Sequence, residues 1–272
     1  MLMEIFQYEF MQKAFIVGIL ISIIIPMVGT IIVLKRLSMM GDALSHSSLA
    51  GIAGGLVAGI NPIVGAIIAS VIGALSIEYI RKKIPRYSEV AIAIVMSTGI
   101  GLAGILSSFN RSGANLDSFL FGSIVSISNF EVLLVLITSI VVITVFILLY
   151  KELFYLAFDE QSARLAKVPI KLVSFIFTIL IALAISIAAR SIGALIVSSL
   201  LVIPVICSMQ FSKSFLSTII YSILFAISFT IAGLFISFYL NLKPGGTIVI
   251  IGVITFIIIM IVKSIKTKAR NS

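Results

Sequence analysis

The chain has 272 residues, 61% of them apolar and 11% charged, with a net charge of +9 and a mean hydropathy of +1.30. Soluble domains are about 25% charged, and a water-exposed surface built from this composition would carry apolar patches large enough to aggregate; soluble enzymes, nucleic-acid-binding domains and disordered chains are excluded. The positive charge fits a membrane protein, in which Lys and Arg collect in cytoplasmic loops, and the single cysteine, Cys207, allows neither an intrachain disulfide nor a thiolate zinc cluster.

The chain starts with Glu4 and Glu9 where a secretory signal would be basic, and no small-residue cleavage site precedes the first apolar run. This stretch reads as an uncleaved amphipathic segment at the membrane interface. Apolar runs of spanning length then follow at 13–34, 41–60, 62–80, 89–109, 129–150, 170–189, 191–210, 215–240 and 246–263. Asn61-Pro62, Lys83-Ile84-Pro85-Arg86, Asn110-Arg111-Ser112-Gly113 and Lys243-Pro244-Gly245-Gly246 punctuate them as loops. The expectation is an all-α polytopic membrane protein of eight or nine spans, with residues 1–272 forming one transmembrane domain.

Alternating the spans from Lys35 and Arg36 on the inside puts 15 basic residues inside and 4 outside, of 19 in all. That bias predicts a multi-pass cell-membrane protein with its N-terminus out and C-terminus in. Residues 115–128, which include Asp117, are too short and polar to cross; a re-entrant or outer-face helix is expected there, since irregular backbone at membrane depth needs surrounding protein or a wet cavity.

Gly51, Gly55 and Gly59 recur every fourth residue, as do Gly65, Ala69 and Gly73 on the next span. Such stripes let helices approach closely, either inside one subunit or across a dimer. Charges within spans cost several kcal/mol, so the stretch 39–55 is the most informative. Asp42 and the only histidine, His46, stand one helical turn apart on one face, with Ser45, Ser47 and Ser48 beside them. One reading makes Asp42 a helix N-cap and His46 a partner for a neighbouring carbonyl. The other rests on depth: ten residues past Arg36 is about 15 Å along a helix. There a carboxylate and an imidazole suit a divalent transition metal, and two copies of the chain would supply four ligands. A ligating imidazole must be neutral, so affinity would fall as His46 protonates. Glu78 is expected to pair with Arg81 or Lys82, Glu89 and Glu131 to snorkel near span ends, and Met27, Met39, Met40, Met96 and Cys207 to pack.

No phosphate-loop motif is present, so any ATP hydrolysis belongs to a separate subunit and the chain is not itself an enzyme. The loop 151–169 is the one sizeable feature on the inner side. A short amphipathic helix there, with Phe158 and Leu165 exposed, suits either a partner's groove or the bilayer surface.

Several segments resemble the membrane permeases of bacterial zinc/manganese/iron ABC uptake transporters. They are Met40-Gly41-Asp42-Ala43-Leu44-Ser45-His46 followed by Gly51, Phe158-Asp159 with Ala163 and Pro169, Gly193-Ala194-Leu195 leading to Pro204, and Pro244-Gly245-Gly246-Thr247. The resemblance covers nearly the whole chain. It implies an ABC importer permease fold, a second copy of the chain, ATPase subunits that bind the ATP, and an extracellular metal-binding lipoprotein, all in or at a lipid membrane and with no nucleic acid. It further implies that Asp42 and His46 hold the transported ion and that Phe158, Asp159, Glu160 and Ala163 couple to the ATPase. No covalently bound cofactor is implied. Ser47-Ser48-Leu49-Ala50-Gly51 differs from the proline-containing version in some manganese-type relatives, which leans the cargo toward zinc over manganese or iron. The alternative is a proton-coupled secondary metal transporter without an ATPase, in which Asp42 and His46 relay protons.

Overall fold

The computed structural model describes residues 4–109, 127–158 and 163–271, apart from 164 and 166. The described residues form ten α-helices: α1 (Glu9–Leu34), α2 (Met40–Ala58), α3 (Pro62–Lys83), α4 (Ser88–Ser108), α5 (Asn129–Leu148), α6 (Tyr150–Phe158), α7 (Ile170–Ile192), α8 (Ala194–Met209), α9 (Phe215–Leu240) and α10 (Pro244–Asn271). All nine expected spans coincide with helices. Seven are long and apolar enough to cross a membrane, and the two that are not are α2, which is too polar, and α8, which has only 16 residues.

Helix boundaries follow local chemistry. Asn61 accepts the Ile63 N–H at 2.9 Å and Pro62 opens α3, a capped start with proline where no N–H is needed. Ser128 and Glu131 form a reciprocal capping box at α5, and Ser214 and Ser217 do the same at α9. The expected break at Arg190 falls later: α7 continues to Ile192 and turns into α8 through Gly193 alone, at φ 102°, a backbone that side-chain-bearing residues avoid.

Helices α1 and α7 are the interior of the bundle, with 72% of each apolar window buried, whereas α10 buries only 11% and faces outward. Hydroxyls tie α1 to α9, Ser22 to Thr230 at 2.6 Å and Thr30 to Ser222 at 3.4 Å. The glycine stripes resolve as packing within one chain. α2 and α3 cross so closely that a β-carbon on Gly51 or Gly65 would run into the other's carbonyl oxygen. Gly59 is not part of that seam; its left-handed φ of 69° ends α2.

The residues at the start of the chain depart from expectation. Glu4–Gln7 forms a 3-10 turn instead of an α-helix, Ile5 is fully buried, and the half-exposed rings of Phe6 and Tyr8 contact Phe235 and Phe238 of α9, so the segment packs onto the bundle. Helix ends sort onto two faces. One carries the ends of α1, α3 and α8, the starts of α4, α7 and α9, and all of α6; there Lys263 of α10 donates to Gln210 at 2.9 Å. The other carries the start of α5 and the end of α7, where Arg190 and Glu131 pair at 2.7 Å. Glu131 was expected to snorkel; it is buried, held by its capping box and by Arg190. Truncating Arg190→Ala strands that carboxylate and is expected to cost about 3–5 kcal/mol. Removing both groups (R190A/E131A) restores part of the loss, read as thermal unfolding of the purified protein in detergent.

Candidate metal site

The site starts at the turn into α2. Arg36 adopts a left-handed φ of 58°, and Leu37 N–H bonds back to Ile32, reversing the chain before Met40. Because residues 36–39 form this turn, the helical rise to His46 starts at Met40 and comes to about 9 Å, shallower than a continuous helix from Arg36 would give. Asp42 is not an N-cap. Met39 occupies that position without a side-chain bond, and Asp42 lies in the first turn, where a carboxylate complements the helix dipole.

The Asp42 carboxylate is instead held from another helix: Ser198 Oγ on α8 donates to Asp42 Oδ1 at 2.5 Å. Gly41 makes this approach possible, since a β-carbon there would stand 3.0 Å from Ser198 Oγ and 3.5 Å from Ser198 Cα. Ser198 is 156 residues from Asp42, and nothing in its own neighbourhood distinguishes it from Ser199. The pairing of Gly41 with Asp42 is the one hint that another helix comes close there.

His46 is half-buried on the same face of α2 as Asp42, one turn along. Its backbone is clamped from α4. A β-carbon on Gly99 would lie 2.9 Å from both His46 C and Ser47 N, so the helices meet backbone to backbone at the histidine. From α3, Ser70 Oγ donates to the Leu44 carbonyl at 3.1 Å, and Ser47 turns inward to the Ala43 carbonyl at 2.9 Å. The Asp42–His46 face lies opposite the α3 seam and is half-covered. Ser45 and Ser48 are buried, and among the described residues their hydroxyls have no hydrogen-bond partner, leaving two polar groups on the same two turns.

Among the described residues no group of three or more His, Cys, Asp or Glu side chains could hold a metal. One chain offers one carboxylate and one imidazole, with Ser198 bracing the carboxylate. That is an incomplete coordination shell for a divalent ion. Met27, Met40 and Cys207 are buried in the core and Met96 packs on it; Met39, 54% exposed, stays outside it.

Residues 7–263 match the ABC 3 transport family. The chain belongs to the ABC 3 transport family. Similar sequences include the probable metal transport system membrane protein of Treponema pallidum, 34% identical over 93% of this chain and 96% of that protein. The manganese import system permease protein ScaB of Streptococcus parasanguinis is 29% identical over 98% and 95%. The fold superposes on a chain of PsaBC from Streptococcus pneumoniae, solved in complex with a Fab, with a TM-score of 0.85 and 28% identity over 95% of both chains. The all-helical multi-pass architecture is thus that of an ABC permease, a transport component of the ABC 3 kind.

The remaining sequence-derived site residues lie away from Asp42. The amphipathic helix expected in 151–169 is α6, with Leu153 and Leu156 buried and Phe154 and Phe158 exposed against Phe215 of α9 at 5.5 and 6.0 Å. Leu165 is 86% exposed, as the amphipathic reading anticipates, but Ala163 is buried, and its carbonyl accepts from the Val168 N–H at 3.0 Å. Asp159, Glu160, Arg164 and the segment 110–126 with Asp117 lie outside the described residues; of the expected re-entrant stretch, Ile127 is buried and Ser128 caps α5. Glu78 takes both expected partners, Arg81 at 2.6 Å and Lys82 at 3.0 Å, and a third, Ser174 of α7, at 2.7 Å.

The geometry separates scaffold from brace. Gly41→Val drives α8 off α2 and is expected to destabilise by about 1–3 kcal/mol through overpacking. Ser198→Ala removes a single hydrogen bond inside the membrane, worth about 0.6 kcal/mol on average. Melting temperatures of the two variants in detergent, side by side, check this ordering.

Proposed function

We propose that this chain is the permease subunit of an ATP-binding cassette importer that brings a divalent transition metal into the cytoplasm. The observation that carries the reading is the placement of Asp42 and the chain's only histidine on one half-covered face of a helix enclosed by α3, α4 and α8. Burying a carboxylate and an imidazole at such a place costs free energy that packing alone does not return. Two copies of the chain facing each other across that surface supply two carboxylates and two imidazoles, a shell of the size a transition metal takes. Ser198 orients the carboxylate, the role a hydrogen-bonding neighbour plays around a metal ligand.

Manganese is the first cargo to test, because ScaB is named for it; zinc, favoured by the motif around Ser47–Gly51, is the second. The basic face, with Lys35, Arg81, Lys82 and Lys171, is the cytoplasmic one by charge bias, which puts the N-terminus outside and α6 inside. There the exposed Phe158 and Leu165, with Asp159 and Glu160 between them, dock on the ATPase subunit, and Ala163 holds the turn that presents them. An external metal-binding lipoprotein delivers the ion from the opposite side.

The test is radiolabelled manganese and zinc uptake in cells expressing wild type, Asp42→Ala or His46→Ala at matched membrane levels, each with an active or an ATP-hydrolysis-deficient partner ATPase. Both variants are expected to lose at least about 90% of uptake of the cargo ion, consistent with losing one of few ligands, and the deficient ATPase to abolish wild-type uptake. Uptake that survives the deficient ATPase and follows a proton gradient instead identifies a proton-coupled carrier. Normal uptake by both alanine variants removes the site.

A further inference from the structure

On the basic face, a cleft of about 1000 Å³ opens where the end of α1, the end of α3 and the starts of α4 and α7 converge. We propose that this cleft binds the phosphate group of an anionic phospholipid. Among the described residues four cationic side chains line it, Lys35, Arg81, Lys82 and Lys171, against one carboxylate, Glu78. The described lining is basic, and its one acid is engaged by Arg81, Lys82 and the Ser174 hydroxyl.

The backbone adds to the same sign. Helices of 21 and 23 residues, α4 and α7, both begin at the cleft, and their N-caps, Tyr87 and Pro169, give no side-chain bond to the first turn. Their positive ends face the cleft, with Glu89 in the first turn of α4 and the Ile170 N–H of α7 donating to the Val168 carbonyl at 2.8 Å.

This charge excludes the cleft as the exit for a divalent cation, which it repels. It is a site distinct from Asp42 and His46. Besides Ser88 and Ser174, its walls are apolar, among them Leu37, Ile170 and Leu172, which a free inorganic anion does not need and an acyl chain does. Leu172 is 56% exposed, and Phe175, one turn further along α7, is also exposed, so the apolar wall continues from the cleft onto the outer surface of a spanning helix. Beside it, exposed Tyr79 and Tyr87 mark an interfacial aromatic belt, with Lys83 Nζ 5.9 Å from the centre of the Tyr79 ring. A basic pocket between spanning helices at headgroup depth is where anionic lipids are held.

The experiment is native mass spectrometry of the full-length permease in detergent, titrated with phosphatidylglycerol or with phosphatidylcholine of identical acyl chains. Competition arms add inorganic phosphate or the purified ATPase subunit. Phosphatidylglycerol is expected to be retained at about tenfold lower concentration than phosphatidylcholine. Lys171→Glu, a charge reversal outside the Glu78 network, and the double variant K35Q/K171Q are expected to abolish the preference. Melting temperatures measured without anionic lipid show whether each variant is folded. Equal retention of the two lipids, or a preference that persists in both folded variants, overturns the proposal. Competition by millimolar inorganic phosphate with no headgroup preference reassigns the cleft to a free anion. Stoichiometric displacement of the lipid by the ATPase reassigns it to protein docking, and the lipid proposal falls.

Discussion

The structure is organised around one constraint: a polar helix cannot stand in lipid. α2 carries Asp42, His46 and three serines within seven residues, and hydrocarbon offers no partner for any of them. The bundle answers by enclosing α2. α3 meets it glycine to glycine at Gly51 and Gly65, α4 meets its backbone through Gly99, and α8 meets it at Gly41 with Ser198 on the carboxylate. Apolar helices with large outward-facing residues, α4, α5 and α10 above all, then take the lipid contact.

The same enclosure makes the site selective in what it leaves uncovered. Three neighbours cover α2 on the faces that would otherwise expose glycine and serine. The face carrying Asp42 and His46 stays half-covered. A closed structural core would not leave a carboxylate and an imidazole there. On the proposed reading, a second copy and an ion meet this face, which accounts for both the polarity and the partial exposure. Function and fold are tied through Gly41 and Gly99: the residues that permit helix contact also position the candidate ligands.

Most of the architecture was legible in the sequence, because spans of about 20 apolar residues admit little but helix. Asn61-Pro62 and Pro244 announced helix starts, and the α2–α3 seam was visible as two small-residue stripes. What failed to show depended on distant pairing. Glu131 near a span end looked like a snorkelling residue, and only the fold brings Arg190, 59 residues later in the chain, to it. Ser198 looked like any intramembrane serine until α8 was seen crossing Gly41. The packing of the N-terminal segment on α9 was not legible, because Ile5, Phe6 and Tyr8 suit a bilayer or a protein surface equally and local pattern does not separate these. The depth of His46 was overestimated because a left-handed Arg36 has no sequence signature of its own.

The central claim is that Asp42 and His46 from two chains share one ion. The direct measurement is the metal stoichiometry of the purified full transporter, by equilibrium dialysis with manganese and zinc, for wild type and for His46→Ala. One ion per two permease chains, lost in the variant while the assembly and its melting temperature persist, is the predicted result. One ion per chain, or binding that His46→Ala leaves intact, contradicts it.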